Sequence, residues 1–225
     1  MSFGVQVDVV RVFTDADGGS GNPLGIVLSS AASAGREQHI AEALGYSETV
    51  FIGEITPDAA QVRIFTPARE LPFAGHPSVG TAWWLARRGT PVAALEVPAG
   101  RVVIDIDGED VSVRARPEWT PDFAFQQLGS PAEIDALDPT TFTEGHHYLW
   151  AWADETAGTV RSRMFAPDMG IVEDPATGAA AVRLTGLVTR DLDITQGEGC
   201  RLRTRWLGGE VSLSGRVAAD STVEI

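Results

Sequence analysis

RIFTPARELPFAGHPSVGTA (Arg63–Ala82) and RMFAPDMGIVEDPATGAAA (Arg163–Ala181) are the two stretches that decide the fold. Each opens Arg-x-Phe-x-Pro, passes through a linker to a polar residue and a proline, and ends in glycine and small residues suited to starting a helix. Aligned on Pro77 and Pro175, His76-Pro77-x-x-Gly80 faces Asp174-Pro175-x-x-Gly178, an offset of 98 in a chain of 225 residues. A strand, a loop and a helix recurring at nearly half the chain length predict two similar lobes. Each lobe presents one loop-to-helix turn, and the two turns meet across a cleft with approximate two-fold symmetry.

Outward from this repeat, apolar runs and turn residues mark the other elements. Val5–Phe13 and Leu24–Leu28 read as strands joined by the turn-rich GGSGNP (Gly18–Pro23). Ser33–Leu44 reads as a helix with Ile40, Ala43 and Leu44 on one face and Gly45 placed to end it. Tyr46–Ile52 and Val62–Thr66 return to strand character. Pro77 suits a first helical position ahead of Val79, Ala82, Trp83 and Ala86. Leu95–Pro98, Arg101–Ile106 and Val111–Arg114 read as short strands, with Gly108 turning between the last two. Signals over Pro117–Gly145 are weak. Tyr148–Trp152 and Arg161–Ala166 follow as strands and Ala179–Thr189 as a helix; Arg201–Trp206, Glu210–Ser214 and Gly215–Ala219 close the chain as strands. The class is α+β, divided into lobes at 1–112 and 113–225, with terminal strands able to cross over.

Composition narrows the chemistry. All 17 basic residues are arginine, so no protein Schiff base is available. A single cysteine, Cys200, excludes an internal disulfide and any multi-thiolate metal site, and reads as a lone, partly buried thiol in preference to a reactive one. The net charge of −14 argues against phosphate-backbone binding to nucleic acid. No apolar run is long enough to span a bilayer, and MSFGVQVDVVRVF lacks a cationic leader region, so a cytoplasmic location is expected. Gly18-Gly19-Ser20-Gly21 lacks the Walker ending and no GxGxxG fingerprint occurs, so no nucleotide cofactor is expected. Among the four histidines, the neighbours His146 and His147 border a strand and point to opposite faces, a poor start for a metal site.

The loops themselves carry the candidate chemistry. A helix N-terminus offers unpaired N–H groups and partial positive charge, a natural seat for a carboxylate. Gly75 and Gly178 would let a ligand approach the backbone, with Ala179–Ala181 leaving the way clear. Taken singly, Pro77 and Pro175 are helix starts, His76 a packing histidine and Asp174 an N-cap. Together they suggest a site. Glu48 sits among Tyr46, Val50, Phe51 and Ile52, where burial would raise its pKa toward neutrality as a general acid/base requires.

These residues resemble the phenazine-biosynthesis PhzF family of isomerases, which shares the diaminopimelate epimerase fold. The resemblance rests on SGNP (Ser20–Pro23), YSETVFI (Tyr46–Ile52), FTPARELPFAGHPSVGTA (Phe65–Ala82), FAPDMGIVEDPATGAAA (Phe165–Ala181) and ITQGEG (Ile194–Gly199), in family order over nearly the whole chain. It implies two pseudo-symmetric lobes, each a sheet rolled around a central helix. It also implies cofactor-free proton transfer within a small carboxylate substrate, and a homodimer. Residue by residue, the family's acid/base glutamate falls on Glu48, its histidine on His76 and its aspartate on Asp174. Asn22, Gly75, Ser78, Gly178 and Ala179 fall where substrate is held. Two departures stand out: Thr177-Gly178-Ala179-Ala180 replaces the family's Thr-Gly-Ser-Ala, and the second half is shorter by several tens of residues. A glutamate-based amino-acid epimerase and a non-catalytic carboxylate binder are the rival readings. A two-thiol epimerase is not available, because the corresponding positions are Ala74 and Gly178-Ala179.

Overall fold

The computed structural model describes residues 4–107 and 110–225; the Gly108 turn lies outside them. The first half runs β1 (Gln6–Thr14), β2 (Asn22–Leu28), α1 (Glu37–Leu44), β3 (Glu48–Ile55), β4 (Ala59–Phe65), β5 (Glu70–Leu71), α2 (Gly75–Arg87), β6 (Ala94–Val97), β7 (Gly100–Asp107) and β8 (Asp110–Ala115). The second runs β9 (Ala124–Gln127), α3 (Pro131–Asp135), β10 (His147–Asp154), β11 (Thr159–Ala166), β12 (Ile171–Asp174), α4 (Gly178–Val188), β13 (Leu192–Gln196), β14 (Cys200–Trp206) and β15 (Val211–Ser214). A last strand, β16 (Arg216–Glu224), returns to pair with β1. Positions 112 and 113 both lie in β8. Among the described residues no helix is long and apolar enough to cross a membrane.

All strands join one path: β16-β1-β2-β3-β4-β6-β7-β8-β15-β14-β13-β11-β10-β9, with β5 on β4 and β12 on β11. The path folds onto itself about the antiparallel β8–β15 pair, where Val113 faces Leu213. Outward from that pair the two arms repeat each other. β7 corresponds to β14 and β6 to β13, β4 to β11, β3 to β10, and β2 to β9. The parallel pairs β4–β6 and β2–β3 recur as β11–β13 and β9–β10. Among the described residues β1 and β16 have no counterpart: one arm of the path has eight strands, the other six. That is where the second half is short.

Strand alternation produces this wrap. In β14, Cys200, Leu202 and Thr204 are buried while Arg201, Arg203 and Arg205 are exposed. The inward faces of both arms close around α2 and α4 to form one continuous core. α2 is buried on nearly every side from Gly75 to Ala82, as a central helix must be. The short helices cover the outer faces. α1 packs Ile40 and Ala41 over Val7, Val27, Phe51 and Phe65, and α3 packs Ile134 over Leu149, Ala151 and Phe165.

Helix boundaries differ from the sequence reading in physically instructive ways. α1 starts at Glu37, not Ser33, because the Ser33 hydroxyl accepts from the Ser30 N–H and donates to the Ser30 carbonyl in a turn that Gly35 closes at φ 73°. Its Ala43 is exposed, and Gly45 ends it in the left-handed conformation at φ 69°. Pro77 is the third residue of α2, where its missing N–H still has no intrahelical acceptor to lose. Pro175 lies outside a helix altogether, since α4 begins at Gly178. Alignment on the prolines therefore misregisters the repeat. The Arg-x-Phe-x-Pro strands match at an offset of 100 and the helix starts at 103, because the second linker is three residues longer.

The helix starts touch. A Cβ on Gly75 would lie 2.8 Å from the Gly178 carbonyl carbon and 2.7 Å from Leu213 Cδ2; one on Gly178 would lie 2.7 Å from the His76 nitrogen. The close approach these glycines permit is thus to each other. Gly75→Ala and Gly178→Ala are each expected to cost about 1–3 kcal/mol in urea unfolding, as overpacking against immobile backbone does. Gly53→Ala, whose Cβ would meet only ordinary contacts from 3.5 Å, should stay within about 0.5 kcal/mol of wild type.

Candidate active site

Three elements deliver the ionisable groups to the junction of the lobes. β3 opens with Glu48 on its inward face, α2 carries His76 in its first turn, and β12 ends on Asp174. Glu48 Oε2 lies 3.0 Å from His76 Nδ1. His76 is 2% exposed, Asp174 6%, and the Glu48 side chain 14%, so Glu48 has the most contact with solvent of the three. Glu48 Oε2 and His76 Nε2 are buried without an aligned hydrogen-bond partner. Buried polar atoms are nearly always satisfied, and these two have unspent capacity.

Both carboxyl oxygens of Asp174 accept hydrogen bonds. Asn22 Nδ2 donates to its Oδ1 at 2.7 Å and to the Ala176 carbonyl at 3.0 Å, and the Thr177 hydroxyl donates to its Oδ2 at 2.6 Å. Gln196 Nε2 donates to the Asp174 carbonyl and to Thr177 Oγ1, both at 2.9 Å, while its Oε1 accepts from the Thr177 backbone N–H at 3.1 Å. Ser47 Oγ donates to Asn22 Oδ1 at 3.0 Å. Asn22 therefore bridges the lobes, tying the residue beside Glu48 to Asp174.

Electrostatics separates the two acids in the opposite sense to the sequence expectation for Glu48. Burial pushes its pKa up, but the charge and hydrogen bond of His76, with the Ser47 hydroxyl, outweigh burial and hold it below the ordinary glutamate value. Asp174 moves the other way. Burial first, and the Glu48 charge second, push it up to about 7, against the opposing pull of Thr177, His76 and Asn22. The site thus holds one carboxylate and one group that keeps its proton near neutral pH.

The other expected residues take varied places. Asp174 is not an N-cap; Thr177 occupies that position of α4. The hydroxyl of Ser78 donates to the Ala74 carbonyl at 2.8 Å, inside the first turn of α2. The amide of Asn22 is used up by the clasp described above. Ala179 is packed at 8% exposure, in the first turn of α4, where backbone N–H groups have no intrahelical acceptor. Burial pushes the Cys200 thiol up to about 11. His147 Nε2 sits 2.7 Å from the Glu144 carbonyl, and its ring lies by Phe142, while His146 lies by Phe123 on the other face. Ser47, Thr177 and Gln196 were not singled out by sequence reasoning. Ser47 and Thr177 adjoin residues that were, and Gln196 lies in the ITQGEG block, so the signal was position within a motif. A concavity of about 810 Å³ opens on the outer sheet surface between β7 and β13 and is lined by none of these residues. Among the described residues no three His, Cys, Asp or Glu side chains converge as a metal site.

Comparison with known proteins places the chain in a family. The profile of the PhzC-PhzF family, described as phenazine biosynthesis-like protein, matches residues 10–140 and again 118–222. Trans-2,3-dihydro-3-hydroxyanthranilate isomerase of Pseudomonas aeruginosa is 31% identical over 216 residues, covering 79% of this chain and 78% of that protein. The Pseudomonas chlororaphis isomerase of the same name is 32% identical over 206 residues, covering 72% of each. A putative PhzC/PhzF protein from Clostridium difficile superposes with TM-score 0.78 at 18% identity, over 98% of this chain and 99% of that one. A probable proline racemase from Agrobacterium radiobacter superposes with TM-score 0.65 at 11% identity, over 98% and 92%, which shows the shared fold. With a profile spanning nearly its whole length and relatives above 30% identity, the chain belongs to the phenazine biosynthesis-like PhzC-PhzF family of isomerases.

Proposed function

We propose that Glu48 moves a proton between two carbons of a small conjugated carboxylic acid, with no cofactor. The observation that carries this reading is the separation of the two buried acids: Glu48 held ionised against His76, Asp174 held protonated to about pH 7. Pairs of titratable groups driven apart in this way mark the base and the acid of a site. The Glu48 carboxylate takes a proton from the C–H bond, the electron pair delocalises over the conjugated acid, and the proton is returned at another carbon. Nothing is consumed, and the product is an isomer. His76 and protonated Asp174 orient the substrate and offset its developing negative charge. The N–H groups at the starts of α2 and α4 hold its carboxylate. The names of the Pseudomonas relatives make trans-2,3-dihydro-3-hydroxyanthranilate the first substrate to try.

The test is ¹H NMR of that compound with the enzyme in D₂O. Isomerisation with deuterium entering the product is expected, and Glu48→Gln should lower kcat by roughly 10²–10⁴-fold, the usual worth of a positioned acid/base. Full activity in Glu48→Gln overturns the assignment. Loss of deuterium selectivity for a new carbon, with exchange only at the α-carbon of amino acids, favours the epimerase reading.

The raised Asp174 pKa gives a second expectation. Protonated Asp174 is the working form, so kcat/KM should fall about tenfold per pH unit above pH ~7, as ionisation of one essential acid requires. Asp174→Asn should be slower and should lack that alkaline limb. An unchanged limb in Asp174→Asn would assign it to another group.

A further inference from the structure

Gln196 ends β13 with its side chain wholly buried, beside the loop that joins Asp174 to α4. Its amide can sit only one way round. The Thr177 backbone N–H can only donate, so it meets Oε1 at 3.1 Å; the Asp174 carbonyl can only accept, so it meets Nε2 at 2.9 Å. The second proton of Nε2 then points at Thr177 Oγ1, also at 2.9 Å. With that donor in place, the Thr177 hydroxyl sends its own proton to Asp174 Oδ2 at 2.6 Å. A hydroxyl that accepts one hydrogen bond donates the next more strongly.

Thr177 makes these contacts in place of another. It stands at the N-cap of α4, where a threonine oxygen ordinarily accepts from an N–H of the first turn, yet its side chain makes no cap bond. It turns back to Gln196 and Asp174 instead. On the other carboxyl oxygen Asn22 Nδ2 is also a donor, its orientation fixed by the Ala176 carbonyl at 3.0 Å. Among the described residues, both partners of the Asp174 carboxyl therefore donate to it and neither accepts. When Asp174 is protonated, nothing in this clasp takes up that proton.

We infer that Gln196 is a positioning residue: it holds the Thr177 hydroxyl as a donor, so that the proton of Asp174 is left for the substrate. The inference rests on the role proposed for Asp174 above and deepens it. Released from Gln196, the Thr177 hydroxyl is free to turn round and accept that proton, which stabilises neutral Asp174 and withdraws it from the reaction. Donors to a carboxylate favour its ionised form, and Thr177 and Asn22 pull the Asp174 pKa down against burial in this way. Weakening them raises it. The ionisable groups in electrostatic reach of Asp174 are Glu48 of β3, His76 of α2, Tyr148 of β10 and Cys200 of β14. Burial raises the phenol and the thiol above their ordinary values, and substitution of Gln196 or Thr177 alters none of the four.

The test reads the Asp174 carboxyl directly, by ¹³C NMR titration of protein labelled at aspartate Cγ, beside the pH profile of kcat/KM. Asp174→Asn assigns the resonance. Gln196→Met, of similar length and without the amide, should move the Asp174 midpoint up by about one pH unit and lower kcat roughly tenfold. Thr177→Val should raise the midpoint by a similar amount, and Thr177→Ser should keep the wild-type value. Adding Gln196→Met to Thr177→Val should raise it little further, because the first residue acts through the second. A midpoint unchanged in Gln196→Met overturns the inference, as do two shifts that add in full. Should Gln196→Met not fold, a Thr177→Val midpoint at the wild-type value overturns it, and a raised one that Thr177→Ser does not share upholds it. The resonance needs no turnover, so a protein that titrates as expected yet moves no proton refutes the proposed reaction and leaves the coupling of Gln196, Thr177 and Asp174 standing.

Discussion

Backbone contact between Gly75 and Gly178 is the constraint on which the rest of this molecule depends. It brings two helix N-termini together, each carrying partial positive charge. Two like-signed ends facing one another repel, and the repulsion is worst where water is excluded. The chain sets Glu48 and Asp174, one from each lobe, at this same junction. Negative charge is therefore stabilised there by the architecture before any substrate arrives. A fold that packs two central helices head to head favours anions between their ends.

Two acids near one another in a dry site cannot both stay ionised without cost, and the surroundings decide which gives way. Glu48 has a histidine at 3.0 Å. Asp174 has only neutral donors, Asn22 and Thr177, and these prove weaker than burial together with the Glu48 charge. By linkage, a carboxyl group whose pKa rises on folding contributes stability that is fully present below its unfolded value near 3.8 and is lost as pH climbs through about 7. Above that pH the protein retains an ionised Asp174 at the expense of stability. Buried acids perturbed in this way cluster at working sites more often than in structural cores.

Much of this was legible in the sequence, for reasons that separate local from non-local physics. Val5–Phe13, Val62–Thr66 and Arg201–Trp206 alternate strongly enough to declare their strands, and Gly45 declares a helix end. The repeat and the motif residues located the junction and its three ionisable groups. What failed depended on partners distant in the chain. The sign of the Glu48 shift turns on His76, 28 residues away. The Asn22 clasp spans 152 residues, and the mutual contact of Gly75 and Gly178 replaces the ligand approach that glycine alone suggests. The start of α4 was read within one residue, but the register of the repeat was missed, because a three-residue difference between linkers shifts helices relative to strands and prolines are poor markers of either.

Unequal arms pose a packing problem that the chain solves with very little. In the first arm β1 lines one side of α2, so closely that a Cβ on Gly80 would meet Val12 Cγ2 at 2.7 Å. In the second arm eight residues, 116–123, stand where two strands would otherwise run. Within them Pro117 lies against α4, where a Cβ on Gly186 would be 2.6 Å from its ring, and its carbonyl accepts from Arg183 at 3.1 Å. Trp119 spans back to Phe73 with ring centroids 5.8 Å apart, tying this plug to the first lobe. A proline and a tryptophan thus seal the helix flank that a hairpin would seal. They seal a surface, not a hydrogen-bonding edge, because proline has no N–H and a tryptophan side chain cannot complete a backbone ladder. Shortening of this kind preserves the core around α4 and the site at its N-terminus while transferring the unmet demand to β9, at the far end of the same sheet.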